Sequence, residues 1–292
     1  MRRYVAEAVG TFGVIFAGCG AAIVGGPRLG DTGVALAFGL ALAAMTMILA
    51  PVSGAHLNPA VTAASVVLGR IRLRQAGPYV AAQLVGGALG AGAVTVIAGG
   101  RAGGVSGAAG ALANGYGRLS PGGYGLSGAL VAEVALTAIL VLVVISVSDA
   151  PPRGGLTADA AVAQRSTHAV TAAAAGVGYT LIHLVGLPVT KLAANPARAL
   201  GPAILAGGDS LVHLWLFFVA PMLGALVAAG LHRALWAPAP AKPLTMVATG
   251  TLPYRANLRP PVAQPLDDDD DDDAGPSTLR SPRPGRVEPT QI

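Results

Sequence analysis

The sequence predicts an all-α membrane protein: six transmembrane helices plus two re-entrant half-helices, arranged as an inverted repeat. Three observations carry that expectation. The chain is 53% hydrophobic and 11% charged, with a mean hydropathy of +0.62, whereas a soluble domain carries about 25% charged residues. Its apolar residues fall into runs of two distinct lengths, and the tripeptide Asn-Pro-Ala occurs twice, at 58–60 and 195–197, opening the two short runs. The 41 glycines fit the same class, because small residues let transmembrane helices approach closely.

A helix needs about 20 apolar residues to cross a bilayer. Six runs qualify, at about 4–24, 33–52, 76–98, 126–147, 167–187 and 211–235. Two shorter stretches, at about 59–69 and 196–206, hold about 11 residues each. At a rise of 1.5 Å per residue these cover about 16 Å, half of a ~30 Å hydrocarbon core. They read as half-helices that enter the membrane and stop midway.

The first run begins after Arg2 and Arg3 and contains Phe-Ala-Gly-Cys at 16–19, a pattern to weigh against a lipoprotein signal peptide. Glu7 falls inside what would be that peptide's apolar region, so a retained first span is the better reading. A lone Cys19 permits no intramolecular disulfide and says nothing of redox compartment. Residues 1–236 carry 13 basic and 6 acidic residues, net +7; residues 237–292 carry 6 and 8, net −2. That Pro-rich tail, with its run Asp267 to Asp273, shows no apolar period and is expected to be disordered.

Arg2, Arg3, Arg70, Arg72, Arg74, Arg153, Arg165 and Arg233 fall on one side of these spans; Arg28, Arg101, Arg118, Lys191 and Arg198 fall on the other. The excess of positive residues marks the cytoplasmic side, so both termini are expected in the cytoplasm. Span one carries Glu7 with Thr11, and span four carries Glu133 with Thr137 at the same spacing. Each half then continues with two more spans and one Asn-Pro-Ala half-helix, giving repeats over about 1–112 and 125–236. Three spans per repeat is an odd number, so the second copy is inverted. Inverted repeats with broken helices hold their site at the repeat interface near the midplane.

Asparagine is a favoured helix N-cap and proline a favoured first helical residue. Asn58 with Pro59 and Ala60, and Asn195 with Pro196 and Ala197, therefore start two half-helices whose N-termini meet face to face. The asparagine oxygens take up orphan N–H groups, leaving each amide NH2 to donate at the midplane. Each helix N-terminus carries roughly +0.5 elementary charge, which repels cations from both sides. The irregular backbone before each turn is tolerated where it lines a water-filled cavity. Donors at the centre flanked by carbonyl acceptors describe a hydrated, single-file path.

The motifs "SGAHLNPAVT" (53–62), "NPARALGPA" (195–203), "GVALAFGL" (33–40), "NGYGRLSPGGY" (114–124), "LIHLVGLPVT" (181–190) and "LWLFFVAP" (214–221) resemble those of the aquaporin, or major intrinsic protein, family. The likeness covers residues 1–236 and is strongest to bacterial water channels of the aquaporin Z type. It implies a six-span homotetramer in the bacterial inner membrane, with one pore per subunit and no cofactor, metal, nucleic-acid partner or enzymatic activity.

Arg198 lies less than one turn into a half-helix running outward from the midplane, and an intramembrane charge is a functional candidate by default. Phe38 and His183 fall at a similar depth near the outer ends of their spans. The resemblance implies that Phe38, His183 and Arg198 form three parts of a four-part selectivity filter typical of water-selective members. The fourth position holds Leu192, where such members have a small Cys or Thr; its side chain either narrows the pore or points away. Glycerol-conducting relatives resemble one another in an acidic residue after the arginine and a glycine at the histidine position. Ala199 and His183 stand there, and Ala203 and Phe218 also look like the water-channel pattern.

Glu7 and Glu133 are carboxylates inside apolar spans, which an ion-coupled transporter would use as proton sites. The favoured reading is that they accept hydrogen bonds from the half-helix loops, with His56 in a similar supporting role. Gly86, Gly87, Gly90 and Gly92 follow no strand, so they are read as helix-packing residues rather than a phosphate loop. The expected function is passive, osmotically driven permeation of water that excludes ions and protons. Its alternatives are a channel also passing small neutral solutes such as glycerol and, further off, an ion-coupled transporter.

Overall fold

The computed structural model describes residues 1–100, 108–148 and 160–236, with side chains from 166 onward in the last segment. The Asp267 to Asp273 run, the tail from 237, Arg101 and Arg153 lie outside the described residues, as does the side chain of Arg165. The described regular structure is entirely helical, and six of its segments are long and apolar enough to cross a membrane.

Helix α1 (Arg2–Gly20) continues through a wider turn at Ala21–Gly25 and a tight one at Gly26–Arg28. Gly26 and Gly30 then take positive φ of 56° and 57° to reverse the chain into α2 (Gly30–Ser53), conformations that glycine adopts at no steric cost. A left-handed Gly54 ends α2, and the half-helix α3 (Pro59–Val67) follows. It stops two residues short of the expected 69, where Gly69 turns left-handed. Helix α4 (Leu73–Gly99), the short α5 (Ala108–Leu112), α6 (Leu126–Ser148) and α7 (Ala160–Thr190) precede the second half-helix, α8 (Pro196–Ala206). The last span is broken into α9 (Gly208–His213) and α10 (Leu216–Trp236).

Packing relies on absent side chains. A Cβ on Gly39 would strike Thr180 and the Gly176 carbonyl of α7. In the first half, a Cβ on Gly86 would strike the carbonyl of Ala8, the residue after Glu7; in the second, one on Gly224 would strike that of Val134, the residue after Glu133. The two halves thus use the same glycine-on-backbone contact beside the same buried glutamate. Gly87 lies against the Ala197 carbonyl of α8, and Gly90 against the backbone of Phe12 and Phe16. Gly92 departs from the expectation: no atom lies within 4 Å of its Cβ direction, so it makes no close helix contact. Outward-facing residues such as Leu40, Val96 and Val131 are apolar and exposed, a surface suited to hydrocarbon, and the chain is an integral multi-pass membrane protein.

Because Gly87 sits directly behind Ala197, Gly87→Val should force α4 away from the second half-helix. Overpacking of this kind costs about 1–3 kcal/mol. The expected result is a lower Tm in detergent, followed through the intrinsic fluorescence of Trp215 and Trp236.

Candidate functional site

The two half-helices start at one point. Asn58 caps α3 with its Oδ1 accepting from the Ala60 N–H at 2.8 Å, and Asn195 caps α8 by accepting from Ala197 at 2.9 Å. Each amide also reaches across: Asn58 Nδ2 donates to the Ala194 carbonyl at 2.8 Å, and Asn195 Nδ2 to the Leu57 carbonyl at 3.0 Å. The amide groups are therefore not wholly free, as the sequence suggested. One hydrogen of each NH2 locks the opposite loop, and one remains.

The loops feeding these caps are unusual for their residue types. Ala55 and Leu57 before α3, and Lys191, Leu192 and Ala194 before α8, all have φ between 38° and 61°. A non-glycine residue held left-handed costs of order 1–2 kcal/mol, so something must fix it. Glu7 accepts from Ser53 Oγ (2.6 Å), the N–H groups of His56 (3.0 Å) and Leu57 (2.6 Å), and Gln83 Nε2 (2.8 Å). Glu133 accepts from Thr190 Oγ1 (2.6 Å) and the N–H groups of Ala193 (2.8 Å) and Ala194 (2.9 Å). His56 Nδ1 lies 3.1 Å from Thr62 Oγ1. Meanwhile the carbonyls of Gly54, Ala55 and His56, all residues that line the inner cavity, accept no hydrogen bond among the described residues.

Phe38, His183 and Arg198 come together on the Arg198 side of the caps. The Phe38 and His183 rings stack with centroids 4.3 Å apart, and Arg198 Cζ lies 5.6 Å from the Phe38 centroid, within cation–π range. Arg198 Nη1 donates to the Leu112 carbonyl and to Asn114 Oδ1, both at 2.9 Å, and Nη2 to the Lys191 carbonyl at 3.3 Å. Asn114 in turn donates to the Thr190 carbonyl at 3.1 Å. Nothing in the sequence marks Asn114 or Leu112 as site residues, although Asn114 opens the 114–124 motif. Only the folded loop brings them to Arg198. His183 Nδ1 lies 2.8 Å from the Tyr179 carbonyl and so donates to it. That leaves His183 Nε2 and Arg198 Nε buried with no partner among the described residues.

Leu192 is fully buried, and its side chain lies over Gly186 of α7, where a Cβ on Gly186 would meet Leu192 Cδ1 at 2.6 Å. The side chain is thus packed against α7. Two cavities flank the three-residue cluster. The outer, of about 340 Å3, is lined by residues including Asp31, Phe38, Lys191 and Arg198. The inner, of about 20 Å3, is lined by residues including His56, Asn58, Tyr179 and Asn195.

Leu192→Ala should empty buried volume without altering the channel bore: stability falls by about 2–5 kcal/mol, while osmotic water flux per folded protein stays unchanged. Lys191 Nζ donates to the Ala113 carbonyl at 2.9 Å and the Gly110 carbonyl at 3.2 Å. Burial, helped by the Arg198 charge, pushes its ammonium down to about 8. Lys191 should therefore lose its proton near pH 8, well below an ordinary lysine at about 10.4. Acylation of Lys191, followed by peptide mapping against the other lysine, Lys242, should show that midpoint.

The family model for "Major intrinsic protein" matches residues 1–232. Aquaporin Z of Rhodopseudomonas palustris is 39% identical over 242 residues, covering 80% of this chain and 92% of that one. Aquaporin Z of Photorhabdus laumondii is 37% identical over 241 residues, covering 81% and 98%. Among solved structures, the aquaglyceroporin from Plasmodium falciparum matches with a TM-score of 0.67 at 25% identity, over 81% of this chain and 97% of that one. With its six apolar spans and two half-helices meeting at capped N-termini, the chain belongs to the major intrinsic protein family of membrane channels.

Proposed function

We propose that this channel conducts water passively and in single file, and that it excludes ions and protons. The observation that carries the reading is the set of polar atoms left unpaired among the described residues around the paired caps and the Phe38–His183–Arg198 cluster. Unfilled carbonyls of residues 54–56, the second amide hydrogens of Asn58 and Asn195, and His183 Nε2 with Arg198 Nε alternate acceptors and donors. Water can satisfy both kinds; a bare cation can use only the acceptors. At the centre a cation meets two helix N-termini, each worth roughly +0.5 charge, and at the outer end it meets Arg198.

Phe38, His183 and Arg198 form the selectivity filter in this reading. Leu192 contributes through its backbone segment, since the adjoining Lys191 carbonyl holds Arg198. Glu7, Glu133 and His56 support the loops, because their polar atoms are engaged by loop N–H and hydroxyl groups. That commitment argues against proton coupling at either carboxylate. The relatives named aquaporin Z support water as the substrate. The solved aquaglyceroporin keeps glycerol as a second reading, against which stand His183 and Ala199.

We further take the chain to be a homotetramer of the bacterial inner membrane, with both termini cytoplasmic. Arg70 donates to the Ile145 carbonyl and Arg233 to the Val67 carbonyl, so two of the orientation-setting arginines share one end of the bundle. Residues 1–236 form the channel as two inverted repeats, and 237–292 a separate acidic, Pro-rich tail.

In reconstituted vesicles under an osmotic step, stopped-flow light scattering should show shrinkage well above that of protein-free vesicles and independent of proton or sodium gradients. A rate equal to the protein-free control would sink the proposal; fast reswelling in glycerol would select the second reading. Arg198→Val should admit cations, read as conductance, while still passing water well above the protein-free rate.

A further inference from the structure

We infer that Tyr179 is a further specificity-determining residue, forming a second constriction between the Phe38–His183–Arg198 cluster and the paired asparagines. It rests on the water-channel reading and extends it. Tyr179 lies one helical turn before His183 on α7, and its carbonyl holds His183 Nδ1 at 2.8 Å. Its ring meets His183 edge-to-face at 4.3 Å between centroids and Phe38 at 5.8 Å, with interplanar angles of 86° in both cases. Edge-to-face contacts with two rings fix an aromatic side chain firmly. The ring is therefore a rigid wall rather than a mobile flap.

Tyr179 also lines the inner cavity with Asn58 and Asn195, so it bridges the two parts of the path. Tyr179 is 1% exposed, yet its hydroxyl has no hydrogen-bond partner among the described residues. An unpaired buried hydroxyl is costly enough that native proteins almost always satisfy it. The cavity it lines, at about 20 Å3, has room for about one water. A single water there completes the hydroxyl and links the outer cluster to Asn58 and Asn195. A three-carbon polyol, with its bulk and three hydroxyls, does not fit beside the ring. Tyr179 thus does two things: its hydroxyl binds the passing water, and its ring sets the size limit.

The test uses the full chain in vesicles, with rates scaled to protein incorporated, and reads osmotic water flux and glycerol reswelling separately. Tyr179→Phe keeps the ring and removes the hydroxyl; water flux should fall about threefold, the effect of one lost hydrogen bond, with glycerol still excluded. Tyr179→Val should admit glycerol at about tenfold the wild-type rate or more, the scale of steric discrimination in a pocket. Tyr179→Leu should act in the same direction and guards against a folding defect in the valine variant. Unchanged water flux in Tyr179→Phe would overturn the hydroxyl's role, and unchanged glycerol exclusion in both smaller variants would overturn the ring's. A wild type no faster than protein-free vesicles would instead overturn the water-channel reading itself.

Discussion

A helix that begins in the middle of a membrane has orphan N–H groups and no water at hand to satisfy them. Everything near the centre of this channel follows from that constraint. Asn58 and Asn195 satisfy one N–H each in their own half-helix, and proline at the next position brings no N–H to satisfy. The strands of irregular backbone that lead to the caps are then short of donors' partners, and Glu7 and Glu133 supply them from neighbouring spans. A buried carboxylate is tolerable there because it accepts three or four hydrogen bonds from groups that have no alternative.

That arrangement also shapes the path. With the loop N–H groups turned toward the glutamates, the carbonyls of residues 54–56 are left without a partner among the described residues, and left-handed Ala55, Leu57, Lys191, Leu192 and Ala194 are the cost of that turn. The strain is stored where function needs it and is over-determined by the surrounding contacts. Arg198 obeys the same logic farther out. Two carbonyls and Asn114 occupy its terminal nitrogens, so its charge is fixed in place, with Nε left without a partner among the described residues.

Much of this was legible in the sequence, and for identifiable reasons. Span positions follow from the length of apolar runs, and most observed helices begin and end within a few residues of those runs, though α7 starts seven residues early at Ala160 and the last span is broken after His213. The caps follow from Asn-Pro, and Arg198 stands out as a charge in an apolar context. What escaped the sequence depends on contacts between distant segments. Asn114 looks like any loop asparagine until the fold sets it against Arg198. Leu192 could not be oriented without Gly186 opposite it. Left-handed alanine and leucine run against residue preference, and Gly92 shares its neighbours' spacing without sharing their contacts.

The crossed bonds from Asn58 to Ala194 and from Asn195 to Leu57 carry a consequence for how the molecule comes into being. During synthesis the first loop emerges long before the second, and until residues 194 and 195 arrive its Leu57 carbonyl has no donor and the Asn58 amide no acceptor. The first re-entrant segment therefore stays unfinished while the 137 residues from 58 to 195 are made. Whatever order the spans enter the bilayer, the centre of the channel closes as a joint between two halves that neither half can complete by itself.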